Sequence, residues 1–199
     1  QRTSVQAFPN IPNLLLDSEL LRRLTPNLPL WGQQALSNHT GVYANVEAIS
    51  GACLMTSRKL YNTIGGMNEQ YFMYSEDTDY CFQSRQLGYQ NYYLPTASVT
   101  HHGGKSSGGT HNKFSAVMQR EALIHFLSIR RSKTYAFIYR ILMLIKAFLL
   151  LLIASSPSLF SPSSRTPAAI IARRNKWMAV TRWALGLETK WIRLVRNPK

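Results

Sequence analysis

The sequence predicts an α/β domain followed by a helical, basic, membrane-proximal tail. Three observations carry that reading. Between residues 46 and 100, short β-type runs alternate with helix-type runs, each bounded by Ser, Gly or Pro. Charge is split along the chain: residues 1–115 hold 8 basic and 7 acidic residues, whereas 116–199 hold 15 basic and 2 acidic, so nearly all of the net +14 lies in the second part. An apolar run over 135–154 lies within the basic second part. With 199 residues and 45% hydrophobic content, the chain can bury a sizeable core and is not a disordered segment.

The elements follow in order. Residues 1–40 are punctuated by Pro9, Pro12, Pro26 and Pro29, which predicts a loop-rich entry with one short helix over 17–24. Residues 46–50 alternate like a strand, and 51–56 continue as a small-residue buried segment. Thr56 or Ser57 caps a short helix over 58–64, closed by Gly65-Gly66. Ser75 reads as the N-cap of a helix to about residue 87, with Gly88 just beyond it. Residues 89–93 read as a strand ended by Pro95, and 97–100 as another. Residues 103–109 form a Gly-rich loop. A helix over 118–127 precedes the apolar run, a Pro/Ser linker covers 155–167, and basic helices with Trp177, Trp183 and Trp191 occupy 168–187 and 189–195. The corresponding division is 1–115, 116–154, 155–167 and 168–199.

Cys53 and Cys81 are isolated, which argues against a disulfide framework and for a reducing compartment. Both read as small buried hydrophobes. The front holds no charged stretch followed by an apolar run, so no signal peptide is expected there. A start at Gln fits a processed chain or a piece of a longer one. The near-neutral front argues against a nucleic-acid groove, and the basic, apolar-rich tail suits an anionic membrane surface better than a nucleic acid. Within 135–154, Arg140 and Lys146 interrupt the apolar run, so an interfacial helix with snorkelling cations fits better than a clean span, with a buried core helix as the bland alternative.

In an acid-poor chain, Glu76, Asp77 and Asp79 fall within four positions. A carboxylate held at a helix start can act as a general base. Acids in a first turn also arise for dipole reasons alone. Asp77 and Asp79, two apart, point in different directions, so one can face a cleft while the other anchors the turn. His101 and His102 precede Gly103-Gly104. Neutral imidazole binds divalent metals, and the glycines leave room for a phosphate. Two histidines alone do not make a metal site, and a solvated pair is the bland reading. Lys105 and Ser106 can donate to phosphate oxygens, although the spacing is not that of a P-loop.

Together these residues resemble family 2 glycosyltransferases, in particular the bacterial rhamnosyltransferase-like branch. The resemblance rests on Gly51-Ala52-Cys53-Leu54 with Arg58, on Gly65-Gly66-Met67-Asn68-Glu69, on Tyr71-Phe72-Met73-Tyr74 with Glu76-Asp77-Thr78-Asp79, on Gly88-Tyr89, and on His101-His102-Gly103-Gly104 with Ser106. It covers about a third of the chain, corresponding to the C-terminal half of the family's catalytic domain.

The resemblance implies a GT-A (Rossmann-like) fold and an inverting transfer from a nucleotide-sugar donor to a hydroxyl of a lipid-linked or cell-surface polysaccharide acceptor. Asp77 would be the base, with Glu76, Asp79, Gly51 and Arg58 supporting the acceptor side. His101, or His102, would help hold a divalent Mg or Mn ion, and Lys105 and Ser106 would meet the donor diphosphate. The implied location is the cytoplasmic face of the plasma membrane. Two departures stand out. Gln83 occupies a position where the family often has Arg, and no D-x-D motif precedes Glu47. The chain therefore reads as a C-terminal fragment, expected to be inactive alone. A non-catalytic, basic membrane-surface module derived from a transferase is the alternative.

Overall fold

The structure, a computed structural model, describes residues 4–16, 25, 41–102, 113–155 and 167–188. The chain divides into two compact units, Gln1–His101 and His102–Lys199.

In the first unit, β1 (Val5–Gln6) pairs antiparallel with β3 (Ala48–Ile49), and β2 (Ala44–Val46) pairs antiparallel with β4 (Asn91–Tyr93). Glu47 alone separates β2 from β3, so the chain passes from one two-stranded sheet to the other within a single residue. Val5, Ala44 and Val46 are buried together, with Ile49 and Tyr93 packed against them. Among the described residues, α1 (Ile11–Leu16), α2 (Arg58–Ile64) and α3 (Glu76–Gln86) accompany the strands.

Local chemistry explains the helix ends. Asn10 and Asn13 cap α1 reciprocally, each side-chain oxygen accepting the other residue's N–H at 2.9–3.0 Å. The Ser57 hydroxyl accepts the Leu60 N–H at 3.1 Å, and Gly65, at φ +88°, closes α2 as its sequence indicates. α3 lies where the sequence places it, but Ser75 does not cap it through its side chain. Ser75 sits at φ +65°, in the left-handed region rather than the extended conformation of a capping serine.

Other expectations need correction. Residues 51–56 are not a buried strand-like run. The Ser50 hydroxyl accepts the Ala52 N–H and folds Gly51–Cys53 into an exposed 3₁₀ turn, which leaves Cys53 exposed while Cys81 is buried. Residues 97–100 form no strand. A turn closed by the Ala97 N–H on the Leu94 carbonyl precedes them, and they are exposed, with no buried face to hold a pleat. The short helix expected over 17–24, the loop over 103–109, most of the linker and the helix over 189–195 lie outside the described residues.

The second unit contains α4 (Lys113–Arg130), α5 (Lys133–Ser155) and α6 (Pro167–Ala184), mutually packed. α4 buries Val117, Phe126 and Leu127, and α5, packed against that helix, buries a stripe of Ala136, Tyr139, Met143 and Ala147 at spacings of three and four. Trp183 of α6 is fully buried rather than interfacial, and its indole N–H donates to Glu121 at 2.8 Å. Arg140 does not interrupt the apolar surface of α5. Its guanidinium donates to the Ala184 and Trp183 carbonyls at 3.0 and 2.7 Å and lies over the Trp183 ring, which caps the C-terminus of α6. The opposite side of α5 exposes Phe137, Ile138, Ile141, Ile145, Phe148, Leu149 and Leu152.

Candidate functional site

The three acids enter the first turn of α3 by an unusual route. Tyr74 and Ser75 both have positive φ, +70° and +65°, a conformation that non-glycine residues rarely hold without surrounding constraint. The Ser75 carbonyl then accepts the Asp79 N–H at 2.8 Å and starts the helix. This double left-handed step fixes the directions in which Glu76, Asp77 and Asp79 leave the turn.

Asp77 is half-buried and held from two sides. Its Oδ2 accepts the Gly51 N–H at 2.7 Å, and its Oδ1 accepts the Thr78 N–H at 2.6 Å and the Thr78 hydroxyl at 3.3 Å. Gly51 is needed for this approach. A Cβ there would stand 3.3 Å from the Asp77 Cβ and 3.4 Å from Oδ2. The structure thus brings together Gly51 and Asp77, residues 26 apart in sequence. A carboxylate has about four acceptor sites, and these three contacts leave capacity for one more donor.

Asp79 is fully buried and accepts from the Gln83 side-chain amide at 3.2 Å. The residue standing where the resemblance led one to expect Arg thus bonds the anchoring acid. Arg85 turns elsewhere, donating to the Val46 carbonyl at 2.9 Å and to Asn45 Oδ1 at 3.2 Å, which ties α3 to β2. Asn91 adds a second tie, its amide donating to the Glu47 and Cys81 carbonyls. The Phe82 ring meets Phe8 edge-on, and the Tyr80 and Thr56 hydroxyls lie 3.0 Å apart.

Glu76 is the electrostatically perturbed member. Burial pushes its carboxyl above the ordinary range, a backbone hydrogen bond partly opposes this, and the Asp77 charge adds to it. Its buried Oε2 has no hydrogen-bond partner among the described residues. Burial also pushes the Cys81 thiol up to about 11.

The remaining sequence candidates are more dispersed. Arg58 opens α2 and is exposed, as are His101 and His102. Among the described residues no three His, Cys, Asp or Glu side chains gather as a metal site, so these histidines do not form one alone. Lys105 and Ser106 lie outside the described residues. Sequence reasoning missed the roles of Thr78 and Asn91 and the strained Tyr74-Ser75 step. The asparagine pair that caps α1 was legible as N-x-x-N before an apolar run.

No family model matches the chain, and no solved structure matches it. A stretch of 84 residues, 42% of the chain, is 36% identical to N-acetylglucosaminyl-diphospho-decaprenol L-rhamnosyltransferase of Mycobacterium tuberculosis, in strains CDC 1551 and H37Rv alike, and covers 27% of that protein. A stretch of 41 residues is 37% identical to the low-salt glycan biosynthesis hexosyltransferase Agl10 of Haloferax volcanii, covering 21% of this chain and 13% of that one. The chain thus spans about a quarter or less of the length of these curated relatives.

Proposed function

We propose that the first unit is the acceptor-side part of an inverting glycosyltransferase. It would move a sugar from a nucleotide-sugar donor to a hydroxyl of a lipid-linked or cell-surface polysaccharide acceptor, at the cytoplasmic face of a membrane. Partial likeness to a rhamnosyltransferase and a hexosyltransferase supports glycosyl transfer at the level of reaction class. The observation that carries the residue assignment is the Asp77 carboxylate, half-buried and clamped by the Gly51 and Thr78 amides at the strained start of α3.

In this reading Asp77 accepts the proton of the acceptor hydroxyl as that oxygen attacks the anomeric carbon, and the nucleoside diphosphate leaves from the opposite face. The clamp holds the base in one geometry before the acceptor arrives. Asp79, buried and bonded to Gln83, anchors the turn rather than meeting substrate, and Gly51 positions the base. Arg58 would meet the acceptor side, and Lys105 and Ser106 the donor diphosphate. His101 or His102 would supply one ligand to a divalent Mg or Mn ion, whose counter-charge would offset that of the departing diphosphate. Among the described residues no further His, Cys, Asp or Glu side chains gather to complete a site for this ion.

Asp77→Asn in the complete enzyme is expected to lower transfer by about 10²–10⁴-fold, the usual worth of a positioned base. Because Asp77 also ties down the 3₁₀ turn, Gly51→Ala serves as a control that crowds the same contact but keeps the carboxylate. A loss in Asp77→Asn that greatly exceeds the loss in Gly51→Ala supports the base role. Wild-type turnover in Asp77→Asn rejects it. The alternative, a membrane-surface module without catalysis, is distinguished by failure of the complete protein to bind any nucleotide-sugar in a calorimetric titration.

A further inference from the structure

We infer that the α4–α6 unit seats the protein in one leaflet of an anionic bilayer, with α5 lying in the plane of the interface rather than crossing it. This rests on the membrane partner proposed above and adds the face, the depth and the orientation.

The exposed apolar residues of α5 form a continuous surface. At the helical rotation of 3.6 residues per turn, Phe137, Ile141, Ile145, Phe148, Leu149 and Leu152 fall, with Ile138, within an arc of about 120°. They include the most exposed large hydrophobic side chain of the helix, Phe137, at 64%. No charged residue enters the arc. Arg140 projects to the α6 side, where it caps that helix, and Lys146 falls on the other flank, about 60° beyond the arc's edge at Leu149. The two cations that break the run in sequence therefore leave the surface itself uncharged.

Length and composition alone would allow α5 to cross a membrane, and it is the one such helix among the described residues. Its packing argues otherwise. Arg140, near the start of α5, bonds the carbonyls at the end of α6, so the two helices run antiparallel. Counting equal rise from that contact, Arg173, Arg174 and Lys176 of α6 lie beside roughly residues 148–151 of α5. A spanning α5 would carry this cluster into the hydrocarbon, where cations are strongly disfavoured. In the in-plane pose the arc meets the acyl chains while the cations of the unit stay at headgroup level.

The occupant follows from charge. The described residues of this unit contain eleven Lys and Arg against Glu121 and Glu188, which suits an anionic lipid surface.

The test uses the full chain in a Cys53→Ser background, with Phe137→Cys, Ile145→Cys or Leu152→Cys each carrying a bimane label. Vesicles of phosphatidylglycerol and phosphatidylcholine in equal parts contain lipids brominated at shallow or deep acyl positions. Equal, shallow quenching of all three labels is expected, with partitioning about tenfold weaker on pure phosphatidylcholine. A graded profile with Ile145 deepest would mean that α5 spans, and would overturn the in-plane pose. Labels that stay in water with vesicles present would overturn the membrane seat. Labels shielded before lipid is added, with a dimer in sedimentation, would assign the arc to a second copy instead. Ile141→Ser with Phe148→Ser is expected to weaken vesicle binding about tenfold while circular dichroism stays unchanged. Unaltered binding in that variant would also reject the arc. None of these readouts uses sugar transfer, so a chain that seats as described but transfers nothing would sink only the transferase reading.

Discussion

Glu76 and Asp77 are adjacent carboxylates with different surroundings. Asp77 is surrounded by donors, while Glu76 keeps a buried oxygen without one among the described residues. Because the folded state raises the Glu76 carboxyl above its ordinary value of 4.5, the folded chain holds that proton more tightly than the unfolded chain. Stability is then highest at low pH for this group and falls as pH rises from about 4.5 through the raised value. Glu76→Gln is expected to flatten that fall and raise the urea midpoint at pH 7, read from unfolding curves at pH 4 to 7.5. An unchanged pH profile would show that Glu76 is solvated. The cysteines separate in the same way. Burial takes Cys81 from 9.0 to about 11, so at pH 8 its thiolate fraction drops about 100-fold. Exposed Cys53 is expected to react promptly with a maleimide while Cys81 reacts only on unfolding, as mass spectrometry of the labelled peptides would reveal.

At the scale of the element, α2 was legible because both its ends are written locally: a serine hydroxyl aimed at the third amide and a glycine in the left-handed region. α3 was legible in extent but not in how it begins. Two non-glycine residues at positive φ are set by their surroundings, and no propensity announces them. Ser75 makes no side-chain cap bond, so Ser75→Gly removes a steric penalty while adding chain entropy in the unfolded state. The net expectation is a gain of about 0.5–1 kcal/mol in the urea midpoint analysis. If the strain serves positioning of Asp77, this variant of the complete enzyme also loses turnover with little change in substrate affinity. A destabilised Ser75→Gly would mean that the hydroxyl has a role the fold does not show. The strand expected over 97–100 failed for a different reason. Val99 alternates correctly with its neighbours but finds no surface to cover and is 57% exposed, and pattern alone does not say whether a partner exists.

At the scale of the molecule, the mixed α and β character and the concentration of positive charge in the second part were readable directly from the chain. The antiparallel pairing of the strands was not, because it depends on contacts between residues some forty positions apart. The acid cluster was legible as a cluster, yet the separate duties of its members emerge only when Gly51, Thr78 and Gln83 are placed around them. The excess of cations in the helical unit also sets a salt dependence. Vesicle binding is expected to weaken steadily between 0.05 and 0.5 M salt, on the order of the decrease in Debye length over that range, while an apolar contribution persists. Salt-independent binding would assign the whole affinity to the α5 arc.

The Arg140–Trp183 contact has a consequence for inheritance. The guanidinium reaches two carbonyls and stacks on an indole at once, which lysine, with a single ammonium, cannot reproduce. Positions 140 and 183 are thus expected to covary across relatives: where the indole is replaced by a small side chain, the arginine loses its platform, and an uncharged residue should take its place in the apolar helix.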